Sequence, residues 1–211
     1  MRSKLANTVE LQGYYGGDLS HAMSAWTSTS RELTEEKKGR IDKLLKMLAE
    51  NGHGTPFEKS YLHFLVTCDT ASHIHLLKHR IGVSVNAESA RYKELKEDKY
   101  YIPEDWPLHL INALDSHMID SYNYYHWAIE ELLKEGFSKK RAKESARFFL
   151  PYANQLTLDL GFNFRSFIHF QNLRNKEDAQ LEIREIAQKM LELVKNIEDN
   201  PFKHSLEAFG Y

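Results

Sequence analysis

The chain has 211 residues, of which 42% are hydrophobic and 27% are charged, and its formal net charge is -2. This length and composition are those of one ordinary globular domain, so we expect a single domain over residues 1–211. A net charge this small gives no electrostatic reason to expect a nucleic acid as partner. The lone Cys68 excludes an intrachain disulfide, and no stretch approaches the roughly 20 apolar residues that a membrane span needs. We therefore expect a cytoplasmic protein that binds neither a nucleic acid nor a membrane.

The first half of the chain alternates short helices and strands. Residues 5–15 are expected to be extended, and a helix over 19–26 follows the Gly16-Gly17 turn. Apolar residues recurring at i, i+3, i+4 and i+7 predict an amphipathic helix over 34–50. Alternation predicts a strand over 59–68 that buries Cys68 in the core. Residues 71–80 then predict a helix whose C-terminal end carries Lys78, His79 and Arg80.

The second half is dominated by helices. A 3.6-residue apolar period predicts a long helix from Leu108 to Lys134, and Ser138 is expected to cap a further helix that stops before Pro151. Alternation predicts a strand over 155–162, which leads into a helix over 164–173. A regular apolar stripe predicts the last helix over 179–197. Helices with scattered strands indicate an α+β fold rather than a doubly wound sheet.

Basic side chains recur where the predicted elements end. They are Lys78, Arg80, Arg91, Arg147, Arg165 and Arg174, with Ser84, Asn86, Ser89, Asn163 and Asn172 as polar neighbours. Guanidinium groups offer paired donors at fixed geometry, which suits phosphate groups and planar rings that carry carbonyls. The pattern therefore indicates a site for an anion or a nucleotide.

Other kinds of site find weaker support. His75 and His79 lie at i, i+4 on the predicted helix, a spacing that can bind a transition metal. There is, however, no H-E-x-x-H pattern and no cysteine pair, and Lys78 and Arg80 would repel a dication, so we expect no metal. The G-x-S-x-G, G-x-G-x-x-G and P-loop patterns are absent, which disfavours a serine hydrolase and a Rossmann-type dinucleotide site.

Several separated motifs stand out along the chain. In chain order they are Gly52-His53-Gly54-Thr55-Pro56-Phe57-Glu58, Lys78-His79-Arg80 with Ser89-Ala90-Arg91-Tyr92, Ala146-Arg147 before Leu150-Pro151, and Asn163-Phe164-Arg165-Ser166 with Asn172-Leu173-Arg174. Together they resemble the flavin-dependent thymidylate synthases, whose signature is Arg-His-Arg, seven residues and then Ser. The resemblance implies a homotetramer with a mixed central sheet flanked by long helices. It also implies FAD-dependent reductive methylation of dUMP to dTMP, with methylenetetrahydrofolate as one-carbon donor and NADPH as reductant.

The same resemblance implies roles for individual residues. Those that would contact FAD are Thr55, Lys78, His79, Arg80, Glu88, Asn163, Arg165 and His169. Those that would hold dUMP are His75, Lys78, Ser89, Arg91, Arg147 and Arg174. Arg174 would be catalytic, because a guanidinium facing the uracil N3 and carbonyl edge stabilises negative charge on the ring and makes C5 nucleophilic. His53 would lie near the folate.

The chain also departs from the family signature. Lys78 stands where the first arginine is usual, and eight residues instead of seven separate Arg80 from Ser89. Ala87 stands where the usual glutamate of this segment is expected, with Glu88 one step later, and His75 stands where glutamine is usual. These differences keep two alternatives open: a related enzyme that modifies C5 of another pyrimidine nucleotide, and a non-catalytic nucleotide-binding protein.

Overall fold

A computed structural model of the chain describes residues 3–89, 94–95 and 97–211. Its contacts divide the chain into two compact units, each built from three separate segments. Unit 1 comprises Met1–Thr8, Val66–Leu77 and Asn86–Leu158, and unit 2 comprises Val9–Leu65, Lys78–Val85 and Asp159–Tyr211. Among the described residues, no helix is both long enough and apolar enough to cross a membrane.

Strands and helices are interspersed along the chain. The strands are β1 Ser3–Lys4, β2 Thr8–Tyr15, β3 Tyr61–Asp69, β4 Val83–Ala87, β5 Lys99–Tyr100 and β6 Gln155–Asn163. The α-helices are α1 Asp18–Trp26, α2 Glu35–Lys38, α3 Ile41–Glu50, α4 Thr70–Leu77, α5 Leu108–Lys134, α6 Lys139–Ala146, α7 Phe164–Arg174, α8 Leu181–Lys195 and α9 Lys203–Ala208, with 3-10 helices at Thr55–Glu58 and Arg147–Phe149. The main sheet is antiparallel with strand order β2-β3-β6-β4, and β1 pairs in parallel with β5. The predicted α+β class is confirmed.

Unit 1 is built around the long helix α5. Its apolar stripe buries Met118, Tyr122 and Tyr125 in a cluster that also contains residues of α6 and of the segment around β5. The hydroxyl of Tyr122 lies 2.7 Å from the carbonyl oxygen of Lys99 and 2.5 Å from Oδ1 of Asn154. The Tyr122 side chain therefore adds hydrogen bonds to a core that is otherwise stabilised by the burial of apolar side chains.

Unit 2 has an aromatic core beneath α7. The rings of Phe164 and Phe202 stack with centroids 5.4 Å apart, and Phe57 and Phe209 meet edge to face at 4.9 Å. Aromatic side chains bury large apolar areas, so they dominate the stability of such a core. The cluster fixes the start of α7, where several of the predicted site residues lie.

A buried chain of hydrogen bonds joins three distant parts of unit 2. Ser205 Oγ donates to Asp18 Oδ1 at 2.5 Å and lies 2.8 Å from His21 Nδ1, while His21 Nε2 lies 2.7 Å from Ser60 Oγ. Asp18 also accepts the backbone N–H groups of His204 and Ser205. Burial lowers the pKa of His21 to about 4 and raises the pKa of Asp18 above its usual value. The neutral ring of His21 therefore donates from Nδ1 to Ser205 and accepts at Nε2 from Ser60.

Two predicted helices are shorter than the sequence pattern indicates. The helix predicted over 34–50 is two helices, α2 and α3, separated at Gly39 and Arg40. A glycine in a helix interior costs about 1 kcal/mol relative to alanine, so Gly39 favours the break. The helix predicted over 71–80 ends at Leu77, and Lys78, His79 and Arg80 lie in the loop that follows.

Candidate functional site

Helix α7 carries an exposed polar face above its buried aromatic side. Asn163 caps its start, because its side-chain oxygen accepts the backbone N–H of Ser166 at 2.8 Å. Arg165 and His169 are four positions apart and both are exposed, whereas Phe167 between them is fully buried. Residues four apart share one face of a helix. Two residues predicted to contact FAD therefore lie side by side on α7.

The segment around the first 3-10 helix packs against Arg165. Nη1 of Arg165 donates to Oε1 of Glu58 at 2.7 Å. A Cβ atom added at Gly54 would lie only 2.6 Å from Nε of Arg165, so an alanine here would displace the arginine side chain. His53 and Thr55 flank this glycine and are both exposed. The structure thus brings the His53-Gly54-Thr55 turn to the start of α7.

The loop after α4 is bound to the same end of α7. Ser166 Oγ donates to the carbonyl oxygen of Ile81 at 2.7 Å, and the backbone N–H of Asn163 donates to the carbonyl oxygen of Gly82 at 2.9 Å. Gly82 has φ of +65°, and a Cβ atom there would lie 2.2 Å from Nδ2 of Asn163. Only glycine fits this position, because both the backbone conformation and the available space exclude a side chain.

The three residues of the altered signature point in different directions. Lys78 and Arg80 are exposed, whereas His79 is only 7% exposed. Nε of Arg174, the last residue of α7, donates to Nε2 of His79 at 3.1 Å. The His79 ring packs edge to face against Phe170, with centroids 5.0 Å apart. The loop therefore presents two cations outward and uses its histidine to contact the C-terminal end of α7.

The C-terminal end of α7 is itself anchored. Gln171 is fully buried, and its side-chain Nε2 donates to the carbonyl oxygen of Ala187 in α8 at 2.9 Å. Asn175 donates to Oε1 of the same glutamine, and the hydroxyl of Tyr211 donates to Oδ1 of Asn172 at 2.7 Å. These contacts fix the backbone from which Arg174 extends.

The remaining predicted site residues belong to unit 1 or lie outside the described residues. His75 is half-buried on α4, and Arg147 is exposed at the start of the second 3-10 helix. Glu88 and Ser89 follow β4, and the backbone N–H of Glu88 donates to the carbonyl oxygen of Thr157 at 2.8 Å. Arg91 lies outside the described residues. The substrate and FAD contacts assigned to these side chains stay predictions.

The metal alternative loses its geometric basis. His75 and His79 are not a helical i, i+4 pair, because α4 ends at Leu77. Within the described ranges, no group of three or more His, Cys, Asp or Glu side chains could hold a metal ion. The structure is compatible with the expected site for an anion or a nucleotide, because the exposed cations Lys78, Arg80 and Arg165 all belong to unit 2.

Cys68 lies in the core, as the strand pattern predicted. It is fully buried in β3, and burial raises the pKa of its thiol far above the usual range. A thiol that stays protonated is a poor nucleophile. Any reaction at this protein's site must therefore proceed without a thiolate from this residue.

The sequence reasoning gave no role to three residues that build the site. Ser166, Glu58 and Gln171 hold the loop after α4, the side chain of Arg165 and the end of α7, respectively. The spacing Asn163-x-x-Ser166 is an N-cap pattern and could have identified the first of them. The other two act over long sequence separations, for which the sequence carries no local signal.

Comparisons with known proteins agree with these motifs. The family model described as thymidylate synthase complementing protein matches residues 10–198. A flavin-dependent thymidylate synthase from Pseudothermotoga lettingae is 32% identical over 90% of this chain and 85% of the relative. One from Thermotoga neapolitana is 33% identical over 85% of this chain and 81% of the relative.

A solved structure extends the likeness to the fold. The UMP/dUMP methylase PolB from Streptomyces cacaoi, bound with 5-Br dUMP, matches with a TM-score of 0.80 at 26% identity. The match covers 99% of this chain and 97% of that one. The chain therefore belongs to the thymidylate synthase complementing protein family and is a methyltransferase enzyme.

Proposed function

We propose that the protein is a flavin-dependent thymidylate synthase that methylates C5 of dUMP to give dTMP. Methylenetetrahydrofolate supplies the carbon, NADPH supplies the reducing equivalents, and FAD is the resident cofactor. The observation that carries the proposal is the convergence of family motifs on α7. The turn at His53 to Thr55 packs at its start, and His79 contacts Arg174 at its end.

The residues around α7 suit FAD. Lys78, Arg80 and Arg165 are exposed cations, and Thr55 adds an exposed hydroxyl. Cations and hydroxyl donors are the groups that bind a diphosphate, and aromatic rings such as that of His169 can pack on a planar ring system. Arg165 forms an ion pair with Glu58, which cancels the charge of both, so Lys78 and Arg80 supply the net positive charge and Arg165 contributes its remaining N–H donors. FAD, when bound, would supply the redox chemistry that turns the transferred carbon into a methyl group.

Arg174 supports the carbon–carbon bond-forming step. Its Nε–H is directed to His79, so the two terminal nitrogens can face the N3 and carbonyl edge of uracil and donate to the carbonyl oxygen, where negative charge develops. Negative charge that develops on the ring is then stabilised, and C5 becomes nucleophilic toward the one-carbon unit. C5 gains the carbon and loses its hydrogen as a proton. The bond between that carbon and the folate nitrogen breaks, so tetrahydrofolate leaves, and two electrons from NADPH with one proton reduce the carbon to methyl. Cys68 takes no part because its thiol is buried.

Two measurements test this function. The purified protein should show flavin absorbance after FAD is added, and it should release tritium from C5 of labelled dUMP when methylenetetrahydrofolate and NADPH are present. Arg174→Ala should abolish tritium release while FAD is retained, because FAD is held mainly by other residues. Wild-type protein that binds no FAD, or that releases no tritium from dUMP, would refute the proposal.

UMP is a second candidate substrate. PolB is a UMP/dUMP methylase, and it has also been solved with 5-Br UMP, at a TM-score of 0.79 to this chain. The mass of the product after turnover with an equimolar mixture of dUMP and UMP decides between the two. Methylated UMP would show the broader specificity, and methylated dUMP alone would exclude it.

The homotetramer implied by the resemblance is part of the same proposal, as is the cytoplasmic location. Unit 1 supports an assembly, because Tyr124, Trp127 and Phe149 are 55%, 53% and 45% exposed on or beside α5. Clustered exposed aromatic residues mark protein interfaces more often than free surface. Sedimentation of the purified protein measures the assembly state directly, and a monomer at micromolar concentration would contradict it.

A further inference from the structure

We propose that His79 is a positioning residue for Arg174. In its neutral form, with the proton on Nδ1, its Nε2 lone pair holds the guanidinium of Arg174 in one orientation. The importance of this contact for turnover rests on the proposed function, in which Arg174 faces the uracil ring. The tautomer itself does not rest on that function and can be tested separately.

The tautomer follows from the donors on Arg174. A guanidinium carries five N–H donors, has no acceptor and stays protonated in proteins. Nε of Arg174 donates to Nε2 of His79 at 3.1 Å. Nε2 must then be the acceptor, so the ring is neutral and its proton is on Nδ1. An imidazolium would turn a second donor toward Arg174 and would place two positive charges in contact.

The ring is held in this orientation by its surroundings. His79 is 7% exposed, and it meets Phe170 edge to face at an interplanar angle of 80°. Its centroid lies 6.0 Å from that of His169. Both neighbours are on α7, four and five positions before Arg174. The acceptor and the donor are therefore fixed by the same helix, which keeps their separation constant.

The contact with His79 leaves the two terminal nitrogens of the Arg174 guanidinium available for the substrate. It involves Nε only, so the end-on pair of terminal nitrogens is not used by His79. A long arginine side chain without such a partner samples many rotamers. Misplacing a reacting or polarising group by about 1 Å can reduce a rate about 100-fold. Loss of the Nε contact should therefore lower kcat for dUMP more than it changes KM.

The tautomer is tested first, on the FAD-loaded wild-type protein labelled with nitrogen-15 histidine. The two nitrogens of His79 are assigned by their loss in His79→Gln. We expect Nε2 to have the shift of an unprotonated nitrogen and Nδ1 that of a protonated one. A proton on Nε2, or on both nitrogens, would overturn the proposal whatever the enzyme's activity.

Turnover is tested with a pair of substitutions and a control. His79→Leu removes the acceptor and keeps an apolar side chain of similar size, whereas His79→Gln places an amide oxygen near the position of Nε2. We expect the leucine variant to lose about 10- to 100-fold in kcat per bound flavin, and the glutamine variant to recover most of it. His117→Leu, an exposed histidine of α5, should behave as wild type.

Two outcomes of the kinetics contradict the proposal. Either a leucine variant with wild-type kcat, or a glutamine variant as impaired as the leucine variant, would show that the Nε2 acceptor does not position Arg174. Expressing kcat per bound flavin separates this effect from a loss of FAD. If the wild-type protein itself releases no tritium, the proposed function has failed, and the nitrogen-15 result decides the tautomer by itself.

Discussion

Replacing Gly82 by alanine should destabilise the protein through two separable effects. Gly82 has φ of +65°, a region that costs an L-residue about 1–2 kcal/mol. In addition, the new Cβ would lie 2.2 Å from Nδ2 of Asn163 and 2.4 Å from Oγ of Ser166. Those two side chains form the cap of α7 and the bond to Ile81, so both contacts must be disturbed.

The size of the second effect can be worked out from the contacts at risk. A lost side-chain cap costs about 0.5–2 kcal/mol, and a lost neutral hydrogen bond costs about 0.5–1.5 kcal/mol. Gly136→Ala is the matched control, because Gly136 has φ of +85° and nothing within 4 Å of its Cβ position. We expect Gly82→Ala to be about 1–3 kcal/mol less stable than Gly136→Ala.

Urea unfolding of the wild-type protein and both variants measures these free energies. A thermal scan gives the same order, at about 2–4 °C per kcal/mol for a chain of this size. Gly82→Ala should also bind FAD more weakly, because the loop that presents Lys78 and Arg80 is attached to α7 at this point. Equal stability of the two variants would show that the close packing of Gly82 against α7 is not present in solution, and the reasoning on this loop would fail.

Three further predictions concern other residues. Burial lowers the pKa of His21 from 6.5 in the unfolded chain to about 4 in the folded protein, so the unfolded state takes up a proton first as the pH falls. The free energy of unfolding should then decrease by up to about 3 kcal/mol as the pH falls from 6.5 to about 4. Urea unfolding of His21→Gln at several pH values should lack this decrease. A variant with the same pH dependence as wild type would show that His21 is not its source. Gly54→Ala should displace the Arg165 side chain and weaken FAD retention, while the free energy of unfolding changes by less than about 1 kcal/mol. Gly13→Ala is the control, because Gly13 has open space around it, and it should retain FAD as wild type does. Cys68→Ala should keep tritium release from dUMP although it is less stable, and a loss of turnover in a folded, FAD-loaded variant would contradict the thiol-independent route.

Periodicity predicted most elements well. The 27-residue helix α5 has the predicted ends, Leu108 and Lys134. Its apolar stripe is long, and the core of unit 1 packs along that stripe, so the local pattern and the tertiary contacts agree. Strand β6 and helix α7 also lie within one residue of the predicted bounds. The alternation in β3 correctly placed Cys68 in the core.

The errors arose where a tertiary contact overrides the local pattern. Residues 78–80 continue an acceptable helical sequence, yet the chain leaves the helix at Leu77 and His79 bonds to Arg174, 95 positions away. His79 is therefore buried against α7 while Lys78 and Arg80 are exposed, and the FAD contacts implied for all three stay predictions. A single sequence holds no information on such a distant partner.

The contacts around α7 were not predictable from the motifs alone. The motifs identified the residues around α7, and the structure brings Gly54, Gly82, Asn163 and Arg165 together there. The sequence could not show that Gly82 is a glycine because its backbone has a positive φ and side chains of α7 fill the space beside it. It also gave no sign of the buried chain from Ser60 to Asp18, whose members lie up to 187 positions apart.

The family match ends at residue 198, but the folded unit does not. All three groups that donate to the buried carboxylate of Asp18 come from His204 and Ser205, beyond that boundary. A protein cut at the family boundary would leave this carboxylate and one nitrogen of His21 without partners in an apolar core, which costs about 1–3 kcal/mol for each unsatisfied group. The short helix α9 thus holds the C-terminal end of the chain to α1 within unit 2. A protein expressed only to the end of the family match would lack this helix.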